Sequence, residues 1–88
     1  MKERNNTMYI YEIRFTNGTT ATATINNEIY PAGSGRLMTF HALEKMGITA
    51  ENYKKVRALY HRSTKYTDFP CKHVGWEEIY LNYLKEKA

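Results

Sequence analysis

Few side chains in this sequence carry chemistry, and they are scattered. Cys71-Lys72-His73, together with His41 and His61, supplies one thiol and three imidazoles, donor types that zinc accepts. No pair among them has a known zinc spacing, and Cys-x-His alone is a weak signal, so neither a metal nor any other cofactor is expected. As a nucleophile Cys71 would need an imidazole beside it, and His73 shares its face only if the chain is extended there. A metal-independent nuclease would draw on His61, Arg57 and Tyr66, with imidazole and phenol held in close geometry. Carboxylates are adjacent only at Glu77-Glu78, which read as the start of a helix. Gly33-Ser34-Gly35-Arg36 presents backbone amides to an anion, but it lacks the length and the lysine of a phosphate-binding loop. The chain is therefore read as non-enzymatic.

Charge is more informative. Thirteen basic residues stand against nine acidic ones, a formal net charge of +4. Five of the thirteen, Lys54, Lys55, Arg57, Arg62 and Lys65, fall between Asn52 and Thr67 with no acid among them. The other eight are balanced by the nine acids, so the whole positive excess sits in one segment. His61 lies inside it and adds charge at mildly acidic pH. A basic patch on a near-neutral body is the electrostatic footprint of a partner rich in phosphate or carboxylate, and a solvated helix face is the plain alternative. Tyr60 and Tyr66 lie among the cations. Tyr66 is the better candidate to stack on an exposed base, because Tyr60 falls on an apolar stripe.

The elements that position these residues must come from one small domain. Eighty-eight residues bury a thin core, and the chain is read as a frayed tail over 1–7 followed by a single domain over 8–88. Tyrosine supplies eight of the apolar residues, against thirteen for Val, Ile and Leu together, so it must fill the core as well as the surface. A charged fraction of 25% argues against disorder. No apolar run approaches the roughly 20 residues of a membrane span, and no signal peptide is read at the N-terminus. The single cysteine excludes an internal disulfide and fits a reducing, cytoplasmic setting.

Met8 to Phe15 alternates as a strand, and Asn17-Gly18 turns it into a second arm, Thr19 to Ile25. A two-residue turn would oppose Phe15 to Thr20. A three-residue loop with Gly18 left-handed opposes Ile13, Tyr11 and Tyr9 to Ala21, Ala23 and Ile25. The second register is favoured, because it leaves room above the alanines for a helix. Its other face, Thr20, Thr22 and Thr24 beside Arg14, is a further candidate contact surface. Glu28-Ile29-Tyr30 is a candidate third strand, stopped by Pro31. A helix is expected from about Phe40 to Met46, capped by Thr39 (or starting earlier, at Ser34) and stopped by Gly47. A second is expected from about Ala50 to Arg62, with Tyr53, Val56, Leu59 and Tyr60 as its apolar stripe. Trp76, Ile79, Tyr80, Tyr83 and Leu84 mark the clearest helix, with Glu77 and Glu78 at its start and Lys85 and Lys87 at its end.

From about residue 39 to 60, a short helix, Gly47, Ile48, the Thr49 cap, and a basic helix carrying Tyr53 and Val56 follow in order. This resembles the helix-turn-helix of DNA-binding regulators, although Leu43 is bulkier than the residue usual at that position. The resemblance implies a second helix in the major groove, with Glu51, Asn52, Lys54 and Lys55 near base edges. The fold class expected is α+β, an N-terminal antiparallel hairpin packed against two or three helices. The function expected is a small basic module that contacts nucleic acid through a basic helix over about residues 50–65. Its contact residues would be Lys54, Lys55, Arg57, His61, Arg62, Lys65 and Tyr66. The competing expectation is a protein-binding inhibitor or adaptor, similar in composition to small phage and mobile-element proteins such as anti-CRISPR proteins, which act on host nucleic-acid enzymes. Tyr30, Tyr66 and Phe69 would then be the anchors. A monomer or a homodimer suits either reading.

Overall fold

The computed structural model describes residues 8–64 and 71–88. Strand β1 (Met8–Phe15) and strand β2 (Thr20–Asn26) pair antiparallel, with Ile13 opposite Ala21, Tyr11 opposite Ala23 and Tyr9 opposite Ile25. This is the register of the three-residue loop. The Gly18 amide donates to the Phe15 carbonyl at 3.0 Å, and Gly18 takes φ 93°, a conformation that suits glycine. Asn17 secures the turn by accepting from the Thr19 amide at 3.0 Å.

A hairpin uses only one edge of β1, and the amides on the other edge need partners. Strand β3 (Val56–Ser63) supplies them, and strand β4 (Cys71–His73) pairs with β3 in turn. The result is a four-stranded antiparallel sheet in the order β2-β1-β3-β4. Two expectations are corrected here. The strands are spread through the chain instead of forming only an N-terminal hairpin, and no helix runs from Ala50 to Arg62. The Thr49 cap closes on itself: its amide donates to the Asn52 side chain at 2.7 Å, its hydroxyl accepts from the Glu51 amide, and a 3-10 turn over Tyr53–Lys55 leads directly into β3. After α1 (Gly35–Lys45) and Gly47, the residues from Val56 onward form a strand.

The third-strand candidate is also corrected: Asn27–Ile29 form a 3-10 turn, with the Asn26 side chain accepting from the Glu28 amide at 2.9 Å. Helix α1 (Gly35–Lys45) starts at Ser34, and Thr39 lies buried within it, its hydroxyl donating back to the Gly35 carbonyl at 3.0 Å. Gly47, at φ 81°, ends it. The Gly47 amide donates to Glu44 and the Ile48 amide to Leu43, and Ile48 and Leu43 are both buried. Helix α2 (Trp76–Lys87) occupies the expected span.

The core joins Tyr11, Ile13, Ile25, Val56 and Leu59 from one face of the sheet to Met38, Phe40, Ala42 and Leu43 of α1 and Trp76 and Tyr80 of α2. Tyrosine does fill it. Tyr80 is fully buried, and its hydroxyl donates to the Ile48 carbonyl at 2.7 Å, with burial pushing the phenol up to about 12. Phe40 stacks on Tyr83 at 4.5 Å, and Glu44 accepts from both Tyr83 and Lys87, tying α1 to α2. Both helices therefore lie on the same face, and among the described residues no helix or loop covers the other. None of the described helices is long and apolar enough to cross a membrane.

Candidate functional site

Alternation along the strands decides which face each side chain takes. On β1 the uncovered face receives Ile10, Glu12 and Arg14. On β2 it receives Thr20, Thr22 and Thr24, all exposed. On β3 it receives Ala58, Tyr60 and Arg62, and on β4 Lys72, which lies opposite Tyr60. The β1–β3 register slips between Arg14 and Phe15, so that Ala58 opposes Arg14 while Val56 opposes Phe15. Arg57 is the extra residue of this bulge, and it shares a recess with Arg14 and Thr20.

Two recesses follow the central strands and meet at Arg14. One, of about 220 Å³, is lined by Ile10, Glu12, Arg14, Tyr60 and Arg62 together with His61. The other, of about 260 Å³, is lined by Arg14, Phe15, Thr16, Gly18, Thr20 and Arg57. The Arg14 guanidinium lies 4.8 Å from the centre of the Tyr60 ring. Its Nε also donates to Glu12 at 3.0 Å. Glu12 is the one carboxylate among the described residues of this face, against Arg14, Arg57, Arg62 and Lys72.

The predicted contact residues separate. Arg57 and Arg62 stand on the uncovered face. Lys54 and Lys55 are exposed on the 3-10 turn before β3, beside the hairpin loop, where the Lys55 carbonyl accepts from the Thr16 amide at 2.8 Å. Lys65 and Tyr66, with Phe69, lie outside the described residues. His61 points to the covered face, half-buried, stacked on Tyr11 at 5.4 Å and on Tyr9 at 5.6 Å. Tyr60, read as core, is on the uncovered face. Arg14 and Lys72, outside the predicted contact set, join this face. The one local signal was the alternation Ala58-Tyr60-Arg62 against Leu59-His61-Ser63; the pairing that adds Arg14 and Lys72 is long-range.

His61 Nδ1 and His73 Nε2 approach to 2.6 Å, so one ring donates and the other accepts. Cys71 is the cross-strand partner of His61, but no group of three metal-binding side chains occurs among the described residues. Burial lowers the pKa of His61. Burial, and then the charge of His61, lowers that of His73. The unfolded chain, with imidazoles near 6.5, therefore takes up protons before the folded one. Stability from this pair is complete above about pH 6.5 and is lost as pH falls through the lowered folded values. The urea midpoint is expected to drop between about pH 7.5 and pH 5, and His73→Gln should flatten that drop. An equal drop in the variant would place the titration elsewhere.

Comparison with protein-family models, curated proteins and solved structures finds no match to this chain. Its function must therefore be argued from its own residues.

Proposed function

We propose that this protein binds nucleic acid through the uncovered face of its sheet. The carrying observation is that this face gathers Arg14, Arg57, Arg62 and Lys72 around Tyr60 with Glu12 as the opposing acid. A cationic surface with a central ring suits a polyanion with aromatic bases. The basic strand β3 takes the part that a basic helix was expected to play, and Lys54 and Lys55 extend the charge at its start. Nothing in this role requires a cofactor or catalysis.

Fluorescence anisotropy with labelled single strands and labelled duplexes tests the proposal. Binding is expected at low salt. Four phosphate contacts give a log–log salt slope of about −3 on a single strand, so affinity should fall roughly 50-fold between 50 and 200 mM salt. No binding to either probe at low salt would overturn the proposal.

A second reading, a protein-binding inhibitor of a nucleic-acid enzyme, is favoured by one observation on the helical side. Val74 and Ile79 are exposed, 85% and 40%, beside a recess of about 160 Å³ lined also by Arg36, Phe40, His73 and Trp76. A partner retained from nuclease-treated lysate and lost in Val74→Ser/Ile79→Ser would support it. Loss in Arg57→Glu/Arg62→Glu instead would assign the contact to the sheet.

A further inference from the structure

We infer that the uncovered face takes an unpaired strand and not a duplex, with one base stacked on Tyr60. This inference rests on the nucleic-acid reading and narrows it. The first argument is width. The three arginines and the ring stand on β1 and β3, the two central strands, with β2 on one side and β4, which carries Lys72, on the other. Four strands at about 4.8 Å spacing span more than a major groove of about 12 Å, which admits one helix or a two-stranded ribbon. A duplex could touch only the rims of this surface with its phosphates, leaving its stacked bases out of reach of Tyr60.

An unpaired strand meets no such obstacle. The two recesses share Arg14 and form one track along the central strands, from Ile10 and Arg62 at one end to Arg57 and Gly18 at the other. Arg62 and Arg57 are five positions apart on β3, roughly 16 Å along an extended strand. Tyr60 lies between them, half-buried and thus held in place, yet outside the packed core. Phosphates on Arg57 and Arg62 therefore straddle a base on the ring. Arg14 covers the ring through a cation–π contact that is weak at exposed sites, so a base can displace it while the guanidinium moves to a neighbouring phosphate. The threonine hydroxyls of β2 border the track and offer hydrogen bonds without sequence preference.

The test compares labelled mixed-sequence single strands of about 12 nucleotides, in deoxy and ribo form, with a duplex of equal length, at low salt. The single strand is expected to bind at least ten-fold tighter. Tyr60→Ala should weaken single-strand binding about ten-fold and leave duplex binding unchanged, while Tyr60→Phe, which keeps the stacking ring, restores it. Far-UV circular dichroism and melting confirm that each variant is folded. An abasic single strand should not distinguish Tyr60→Ala from the parent. Duplex binding as tight as single-strand binding, or a Tyr60→Ala loss that persists on the abasic strand, overturns this inference and leaves the nucleic-acid reading standing. Binding to neither probe overturns both.

Discussion

Arg57→Glu/Arg62→Glu is expected to lower affinity for a single strand by two orders of magnitude or more. Both guanidinium groups are exposed on the uncovered face, so reversal removes two phosphate contacts and adds repulsion. A charge-assisted hydrogen bond contributes about 1.5–3 kcal/mol, and 1.4 kcal/mol is ten-fold. The salt slope should flatten along with the affinity, because fewer counterions are released. Folding is not expected to suffer, since neither residue belongs to the core. Glu12→Gln should move affinity the other way by a few-fold, since Glu12 offsets Arg14 through their 3.0 Å contact. Titrations of the three proteins at two salt concentrations check both directions. A reversed-charge variant that binds like the parent would place the contact surface elsewhere.

Leu59→Ala is expected to cost about 3 kcal/mol. Leu59 is fully buried on a central strand, opposite Ile13 on β1 and His73 on β4, and its removal leaves a hole where the sheet meets the helices. A domain of this size is held by only about 5–10 kcal/mol, so the melting temperature should fall by ~15 °C. Thermal denaturation followed by circular dichroism measures it. The neighbouring position sharpens the test. In a helix carrying Leu59 and Tyr60 on one stripe, truncating either would cost similar amounts. In a strand they face opposite ways, so Tyr60→Ala should cost about 1 kcal/mol or less while weakening single-strand binding about ten-fold. Equal losses of stability at the two positions would contradict the strand.

The hairpin and α2 were legible for local reasons. Asn17-Gly18 sets the loop, Ala21 and Ala23 select the register, and the helical spacing from Trp76 to Leu84 runs long enough to exclude a strand. The stop at Gly47 was legible too, since a left-handed residue there lets the Ile48 amide close on Leu43. The segment from Tyr53 to Arg62 was not. Val56, Leu59 and Tyr60 fit a helical stripe, while Leu59, His61 and Ser63 fit a strand, and so few residues do not separate the two periods. The facing of the side chains followed from that ambiguity: a helix groups His61 with the cations and Tyr60 with the apolar stripe, whereas the strand sends the two to opposite faces.

What the sequence alone determined is a single small α+β chain with its excess charge confined to one stretch, an N-terminal hairpin of known register and a C-terminal helix. These depend on near neighbours and on composition. Only the tertiary structure decided that Val56–Ser63 is a strand, because the unpaired edge of β1, more than forty positions away, captures its backbone hydrogen bonds. That pairing in turn sorts the side chains, sending Tyr60 and Arg62 by alternation and Arg57 through the bulge to the uncovered face with Arg14 and Lys72, and His61 to the covered face. A long-range hydrogen-bond ladder leaves no local mark, so the surface it assembles cannot be read one residue after another.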